Sequence, residues 1–400
     1  GLKEAGISIT STGWINDYNN RYMDARNLWR EKVREDASKT ENTFEAYSSN
    51  PFIIPDGRDI TDNDVKDAAA AIYVISRISG EGRDRRKAEG DYYLSSSERK
   101  DILCLGSKGI PVILVLNTGA PIELSGILKE TPGIKAVLYI SLPGQEGGNA
   151  VADVLTGKTV PSGKLAATWA VHYEDYPCAG SFGYLDGDLS KDEYKEGIYA
   201  GYRYFSSFGI KPLFPFGYGM SYTSFSIEFT SLQITGTVIE AAFSVKNTGE
   251  TCTGREVVQV YITLPQTGTA KEYHRLAGFA KTDILMPGET QKVIITIEQK
   301  QVASFSEETG AWVIEKGKYG IWAGNSSSSL SLEALLDVDE TVIIEHTDRI
   351  CRKTAEFMET GSAAYAIDEA GKWLAEAEAE KVPVFDFKPY MEDKQEFKAQ

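Results

Sequence analysis

Three near-continuous apolar runs constrain this chain more than any other feature: AIYVI at 71–75, PVILVL at 111–116 and IKAVLYI at 134–140. Each is followed by a glycine-bearing loop and separated from the next by helix-like sequence. Strands buried on both faces read as unbroken hydrophobic runs, and helical crossovers between them give a parallel sheet with helices on both faces. The spacing predicts strands over Ala71–Ile78, Pro111–Leu116 and Ile134–Ile140, with helices over Ser95–Gly106, its N-cap near Ser95–Ser97, and over Asn149–Leu155. Right-handed crossovers put all three loops on one carboxyl-terminal edge, where open α/β sheets bind ligands. Glu81 (in Ser79-Gly80-Glu81-Gly82), Asn117 and Glu146 are therefore expected at one rim.

Composition narrows the chemistry. A net charge of −16 argues against a nucleic-acid partner, whose phosphates require a basic surface. No apolar run reaches the roughly 20 residues that span a bilayer, so no membrane partner is expected. The four cysteines, Cys104, Cys178, Cys252 and Cys351, form no CxxC pair and are expected as buried free thiols in a reducing, cytoplasmic compartment. The three histidines, His172, His274 and His346, have no metal-ligand or triad spacing, so no metal site is expected. Neither GxGxxG nor GxxxxGK[ST] follows any strand, so no nucleotide and no other cofactor is expected.

The remaining segments have their own patterns. Ile7–Thr10 reads as a short strand, Asp24–Val33 as a helix and Asp62–Ala68 as an N-capped helix. Trp14, Tyr18, Tyr22 and Trp29 could line a sugar site, but mutual packing along a helix is the favoured reading. From Gly157 to Tyr222 the chain is dense in Tyr, Phe, Gly and Pro, a composition that staples a linker to a neighbour; Pro161–Leu165 reads as a turn entering a strand. From Thr223 to Val338 the period changes to two, with strands expected at Val238–Val245, Glu256–Leu264, Lys292–Ile297 and Lys318–Ala323. Such strands form an immunoglobulin-like sandwich, here without an intersheet disulfide. Asp339–Gln400 reads as a connector or tail without its own core, helical over Thr347–Met358 and Ala363–Glu380.

ISGEGRDR (78–85), VLNTGAPIEL (115–124), PGQEGGNAVADVLTGKTVPSGKL (143–165), EGIYAGYRYF (196–205) and PLFPFGYGMSYTSF (212–225) occur in this order. Together they resemble the C-terminal half of glycoside hydrolase family 3, the β-glucosidase family. VKNTGETCTGREVVQVYI (245–262) and MPGE (286–289) are similar to the fibronectin type III-like domain that follows in those enzymes. The resemblance implies an (α/β)6 sandwich over 1–221, a fibronectin III-like domain over 222–338 and a C-terminal connector over 339–400. It also implies a retaining exo-acting β-glycosidase in which Glu81 is the general acid/base. The implied partners are a β-linked oligosaccharide or glycoside and a TIM-like barrel, in cis or on a second chain, which carries the Asp nucleophile. Homo-oligomers remain compatible with this reading.

Departures from the family pattern matter. The Ser-Asp-Trp motif of the barrel does not occur in the printed sequence, and the start at Gly1-Leu2-Lys3 reads like the middle of a fold lacking its first strand. The chain is therefore expected to be a piece of a larger enzyme, inactive alone, and its tail a connector to a following barrel. Asp84 and Arg85 are expected to brace the Glu81 loop. The rival reading is a non-catalytic carbohydrate-binding or scaffold protein on a former hydrolase fold. Retention of the carboxylate in Ser79–Gly82 argues against it.

Overall fold

The computed structural model describes residues 1–40, 43–77, 84–182, 190, 194–268, 270–348, 360–361 and 363–391. The chain divides into two compact units, Gly1–Thr156 and Gly157–Gln400. The first contains α1 (Thr12–Ala37), α2 (Thr43–Ser49), β1 (Ala71–Ser76), α3 (Ser96–Ser107), β2 (Val112–Asn117), α4 (Ser125–Glu130), β3 (Ile134–Tyr139) and α5 (Gly147–Leu155). The three strands form one parallel sheet in the order β1-β2-β3. Ser76 lies opposite Asn117, and Leu116 opposite Tyr139, so all three strands end at one edge. Central β2 is buried along Val112, Leu114, Val115 and Leu116, whereas β1 leaves Ile72 38% and Val74 55% exposed.

Two local expectations fail. Residues 7–9 form no strand and instead follow a turn closed by the Ile7 amide on the Leu2 carbonyl (3.0 Å). Residues 62–67 form turns, not a capped helix, because Asp64 takes a different set of donors. Its carboxylate accepts two bonds from Arg58 (2.9 and 2.6 Å) and two from Thr61, through the amide (2.8 Å) and the hydroxyl (2.7 Å). Short polar side chains that capture nearby donors compete with helix formation. The Arg58 hydrogen bonds hold the Asp64 carboxyl well below the usual carboxylate range. Asp67, at φ 60°, is left-handed and ends any helical run.

The aromatics of α1 pack on one another, as favoured from sequence. Trp14 stacks on Tyr18 at 5.4 Å, Tyr22 meets Phe52 edge-on at 5.4 Å, and Trp29 contacts both Phe52 and Tyr47. The two indole N–H groups are satisfied by backbone carbonyls, Trp14 by Arg58 (2.9 Å) and Trp29 by Asn50 (2.6 Å).

The second unit contains a 3₁₀ turn at Tyr173–Asp175, α6 (Tyr202–Ser207), then β4 (Phe225–Thr235), β5 (Val238–Asn247), β6 (Val257–Thr263), β7 (Arg275–Lys281), β8 (Thr290–Glu298), α7 (Gln299–Val302), β9 (Ser304–Ser306), β10 (Ala311–Ile314), β11 (Gly317–Ser326), β12 (Ser329–Val338), β13 (Val342–His346), α8 (Ala364–Glu380) and β14 (Val384–Asp386). Three sheets form, β4-β5-β8, β14-β12-β11-β6-β7 and β13-β10-β9. Strand alternation is clearest in β8, where Val293, Ile295 and Ile297 are buried and Lys292, Ile294 and Thr296 are exposed. The inward residues join one core with Phe243, Val260, Ile262, Tyr319, Ile321 and Leu336.

The aromatic linker is stapled to this sandwich, as its composition implies. Tyr202 stacks on Phe216 (4.9 Å), meets Tyr261 edge-on (5.7 Å) and accepts the Leu276 amide on its hydroxyl (2.8 Å). Lys164 pairs with Glu256 at 2.7 Å, and Gln259 Nε2 donates to the Gly217 carbonyl (3.1 Å). The expected strand at Leu165 is reduced to backbone bonds with Gly217 and Tyr218.

The tail departs from the expectation of a solvated connector. Helix α8 buries Ala366, Trp373 and Ala377, the last two against Leu335 and Trp322. Strand β14 adds to the five-stranded sheet in parallel with β12, and Phe387, 1% exposed, enters the sandwich core. The Thr347–Met358 helix falls largely outside the described residues. Cys104, Cys178 and Cys252 form no disulfide among the described residues and are only half-buried, against the expectation of buried thiols, and Cys351 lies outside the described residues. Among the described residues, no helix is long and apolar enough to cross a membrane.

Two measurements test this packing. Phe387→Ala removes a fully buried ring and is expected to lower the unfolding free energy of the sandwich by about 3–5 kcal/mol, read by urea denaturation. His274 is fully buried, with Nδ1 2.9 Å from the Thr263 hydroxyl, and burial pushes its pKa from 6.5 down to about 3. Between those values the unfolded chain binds the additional proton, so stability is lost as pH falls through that window, at most about 1.4 kcal/mol per pH unit. Thermal melts from pH 7 to pH 5 should show a steeper loss for the parent chain than for His274→Gln.

Candidate functional site

The carboxyl-terminal edge of the parallel sheet concentrates charge in a small space. Strand β1 ends at Ser76, and the next side chain, Arg77, folds back into the unit with 4% of its surface exposed. A buried guanidinium must be both neutralised and hydrogen-bonded. Glu98 supplies the charge through a two-pronged pair with Arg77 Nη1 and Nη2 (2.6 and 2.8 Å). Backbone carbonyls take the remaining donors: Asp91 from Nε (2.7 Å), Ser76 from Nη1 (2.9 Å) and Tyr93 from Nη2 (3.3 Å).

Glu98 is held in turn by the start of α3. Its backbone N–H donates to Ser95 Oγ (3.1 Å), and its carboxylate accepts the Ser95 amide (2.8 Å), a reciprocal capping box. One carboxylate therefore caps a helix and neutralises the arginine that ends the preceding strand.

The chain leaves the described residues after Arg77 and returns at Asp84. Arg85 pairs through Nε with the Asp91 carboxylate and donates through Nη2 to the Asp91 carbonyl (2.9 Å). The second carboxylate oxygen of Asp91 accepts the Arg86 amide (2.8 Å). The Glu123 amide donates to the Tyr92 carbonyl (2.8 Å), tying this stretch to the loop that follows β2. In that loop the Thr118 hydroxyl bonds the Ala120 carbonyl (2.8 Å) and Glu123 caps α4 through the Gly126 amide (3.0 Å).

Of the three carboxyl-edge residues expected from sequence, Glu81 lies outside the described residues. Asn117 is at the end of β2, its side-chain amide 3.4 Å from the Ser76 hydroxyl. Glu146 lies in the loop after β3, exposed, and accepts the Asn149 amide (2.8 Å). Of the two residues expected to brace the Glu81 loop, Arg85 reaches forward to Asp91, and Asp84 is exposed. Arg77, Asp91 and Glu98 were not anticipated. The Ser95-x-x-Glu98 spacing is a readable capping signature, but nothing local marks Glu98 as the partner of Arg77. Among the described residues no cluster of three His, Cys, Asp or Glu could hold a metal ion.

Residues 10–222 match the glycosyl hydrolase family 3 C-terminal domain, and residues 256–327 match the fibronectin type III-like domain. The chain belongs to glycoside hydrolase family 3. It is 35% identical over 328 residues to beta-glucosidase A of Butyrivibrio fibrisolvens, a match covering 70% of this chain and 39% of that protein. Over 308 residues it is 35% identical to a beta-glucosidase of Ruminococcus albus, covering 74% of this chain and 32% of the relative. The chain thus spans well under half of these curated relatives. Among solved structures, beta-glucosidase 3B from Thermotoga neapolitana in complex with alpha-D-glucose superposes with a TM-score of 0.71 at 33% identity, covering 86% of this chain and 46% of that one.

The shared carboxylate sets a stability test. Glu98→Gln leaves a buried guanidinium without its counter-charge and is expected to cost about 3 kcal/mol. Faster hydrogen exchange of the β1 and α3 amides in the variant would report it.

Proposed function

We propose that this chain is the acid/base-bearing part of a retaining, exo-acting β-glycosidase, most directly a β-glucosidase acting on terminal β-linked sugars. The observation that carries this reading is the family match over residues 10–222, which runs through Ser79-Gly80-Glu81-Gly82. Relatives named beta-glucosidases support the substrate class. Glu81 is the general acid/base, and the Asp nucleophile is supplied by a TIM-like barrel of the same protein or of a second chain. On this reading the chain has a catalytic α/β part over 1–221, a fibronectin-like part over 222–338 and a C-terminal segment over 339–400.

The chemistry needs both carboxyl groups. One protonates the departing glycosidic oxygen while the other attacks the anomeric carbon; the first then acts as base for the water that releases the sugar. In retaining enzymes the two stand about 5–5.5 Å apart. A segment rooted at the carboxyl edge of a parallel sheet suits the acid, because that edge is where such folds present ligand-contacting loops. The arginines on either side of this segment are paired with carboxylates outside it: Glu98 holds Arg77 and Asp91 holds Arg85.

This chain without a barrel should turn over no glycoside. In the protein completed by its barrel, Glu81→Ala should lower kcat/KM on an alkyl β-glucoside by about 10²–10⁴-fold. Azide should restore turnover of an activated aryl glucoside, with a glycosyl azide as product. Undiminished hydrolysis of the alkyl glucoside by the variant would refute the assignment.

A further inference from the structure

The parallel sheet of the first unit is covered unequally. The crossovers β1-α3-β2 and β2-α4-β3 run the same way across the sheet, so right-handedness puts α3 and α4 on one face. That face carries Tyr73, whose hydroxyl bonds the Asp101 carboxylate of α3 (3.0 Å), and the fully buried Ile75 and Leu114. On the opposite face the strand register places Ile72, Ile113 and Ala136 in one row and Val74, Val115 and Leu138 in the next. Val115 is 1% exposed, but Ile72 is 38% and Val74 55% exposed, so the bare part of this face lies along β1.

The edge of β1 is bare as well. Its Ala71 amide and the following Arg77 amide donate to the Pro111 and Asn117 carbonyls (2.8 and 3.0 Å). By the alternation of a parallel ladder, the N–H and C=O groups of Ile72 and Val74 therefore point away from β2. Among the described residues no strand pairs with that edge. A second segment has the complementary need. Ile7–Thr10 reads as a strand in sequence yet pairs with none, and Ile7 is left 44% exposed. The Thr10 hydroxyl bonds the Asp64 carbonyl (3.0 Å), in the segment that leads into β1.

We propose that the free edge and bare face of β1 are the docking surface for one βα unit from the remainder of the parent enzyme. The unit supplies an apolar strand parallel to β1 and an amphipathic helix laid over Ile72 and Val74. The proposal rests on the reading of this chain as part of a larger glycosidase and names the surface at which it is joined. A strand alone would satisfy the edge and leave the face wet, whereas all-parallel sheets occur with both faces covered. Parallel strands are joined through helical crossovers, so a strand added at β1 brings a helix with it, and a helix opposite α3 and α4 covers both defects at once. Relatives carry more than half of their length outside the stretch this chain matches, ample for such a unit. A second copy pairing its own β1 across a two-fold axis would continue the bare face instead of covering it.

Amide exchange and a charge placed on the face test the docking without reading catalysis. In this chain alone, the Ile72 and Val74 amides should exchange at least about 100-fold faster than those of Tyr73 and Ile75 in the same strand. In the full-length parent protein the same two amides should slow by about 100-fold or more. Val74→Lys should leave the melting temperature of this chain unchanged within about 2 °C and lower that of the parent by about 5 °C or more. Should that variant of the parent not fold, Val74→Thr keeps the shape and carries the same contrast between parent and chain. Equal exchange of Ile72 and Val74 in chain and parent, or an equal effect of Val74→Lys on both, overturns the proposal. So does sedimentation showing that this chain pairs with itself through a contact that Val74→Lys abolishes, with β1 exchange in the parent unchanged. If Glu81→Ala leaves glycoside hydrolysis intact while β1 is protected in the parent, the acid/base reading falls and the docking surface stands.

Discussion

The first unit depends on the burial of one guanidinium. A charge removed from water is tolerated only if anions and carbonyls replace the lost solvent, and around Arg77 they do so from four places in the chain: the Ser76 and Asp91 carbonyls, the Tyr93 carbonyl and Glu98. The end of β1, the stretch leading into α3 and the first turn of α3 must therefore meet in one arrangement. The capping box that starts α3 belongs to the same network, so helix initiation and the strand end share one carboxylate. Such coupling joins the end of β1 and the start of α3 into one hydrogen-bonded unit at the carboxyl edge of the sheet.

In the second unit the organising constraint is apolar. A sandwich must cover its faces and edges, and this one recruits sequence from both sides of its own strands to do so. The aromatic linker before β4 covers Tyr261 with Tyr202, while α8 lays Trp373 over Leu335 and Trp322. Strand β14 extends the sheet beside β12, so the edge of β12 is not left open.

Much of this was legible in sequence, for reasons that can be named. The parallel strands announced themselves because a central strand such as β2 has no polar face to interrupt its hydrophobic run. Strands β5 and β8 were readable from their alternation, and α3 from Ser95 as its cap. Misreadings arose where a single polar side chain overrode the local pattern: Asp64 takes Arg58 and Thr61 and so unwinds the helix suggested by its neighbours. The tail was misread because Val384–Phe387 is too short a run to carry a periodic signal. Its burial is decided by a sheet edge and a core vacancy formed by residues far earlier in the chain. At the candidate site, the Gly-Glu-Gly motif could be read but the contacts of the flanking arginines could not, since the convergence of Arg77 and Arg85 on Asp91 is a matter of backbone geometry.

The parallel pairing of β14 with β12 also imposes an order on synthesis. The first unit is contiguous in sequence, so all its contacts are available once residue 156 has emerged. The sandwich is different, because its core includes Phe387. Every strand from β4 to β13 must wait, incompletely covered, for a residue that follows all of them in the chain. During that interval the β12 edge and the space that Phe387 fills stay uncovered, the state in which unpaired edges most readily find a wrong partner. Strand β14 is thus a seal, and the time needed to make it is a window of vulnerability.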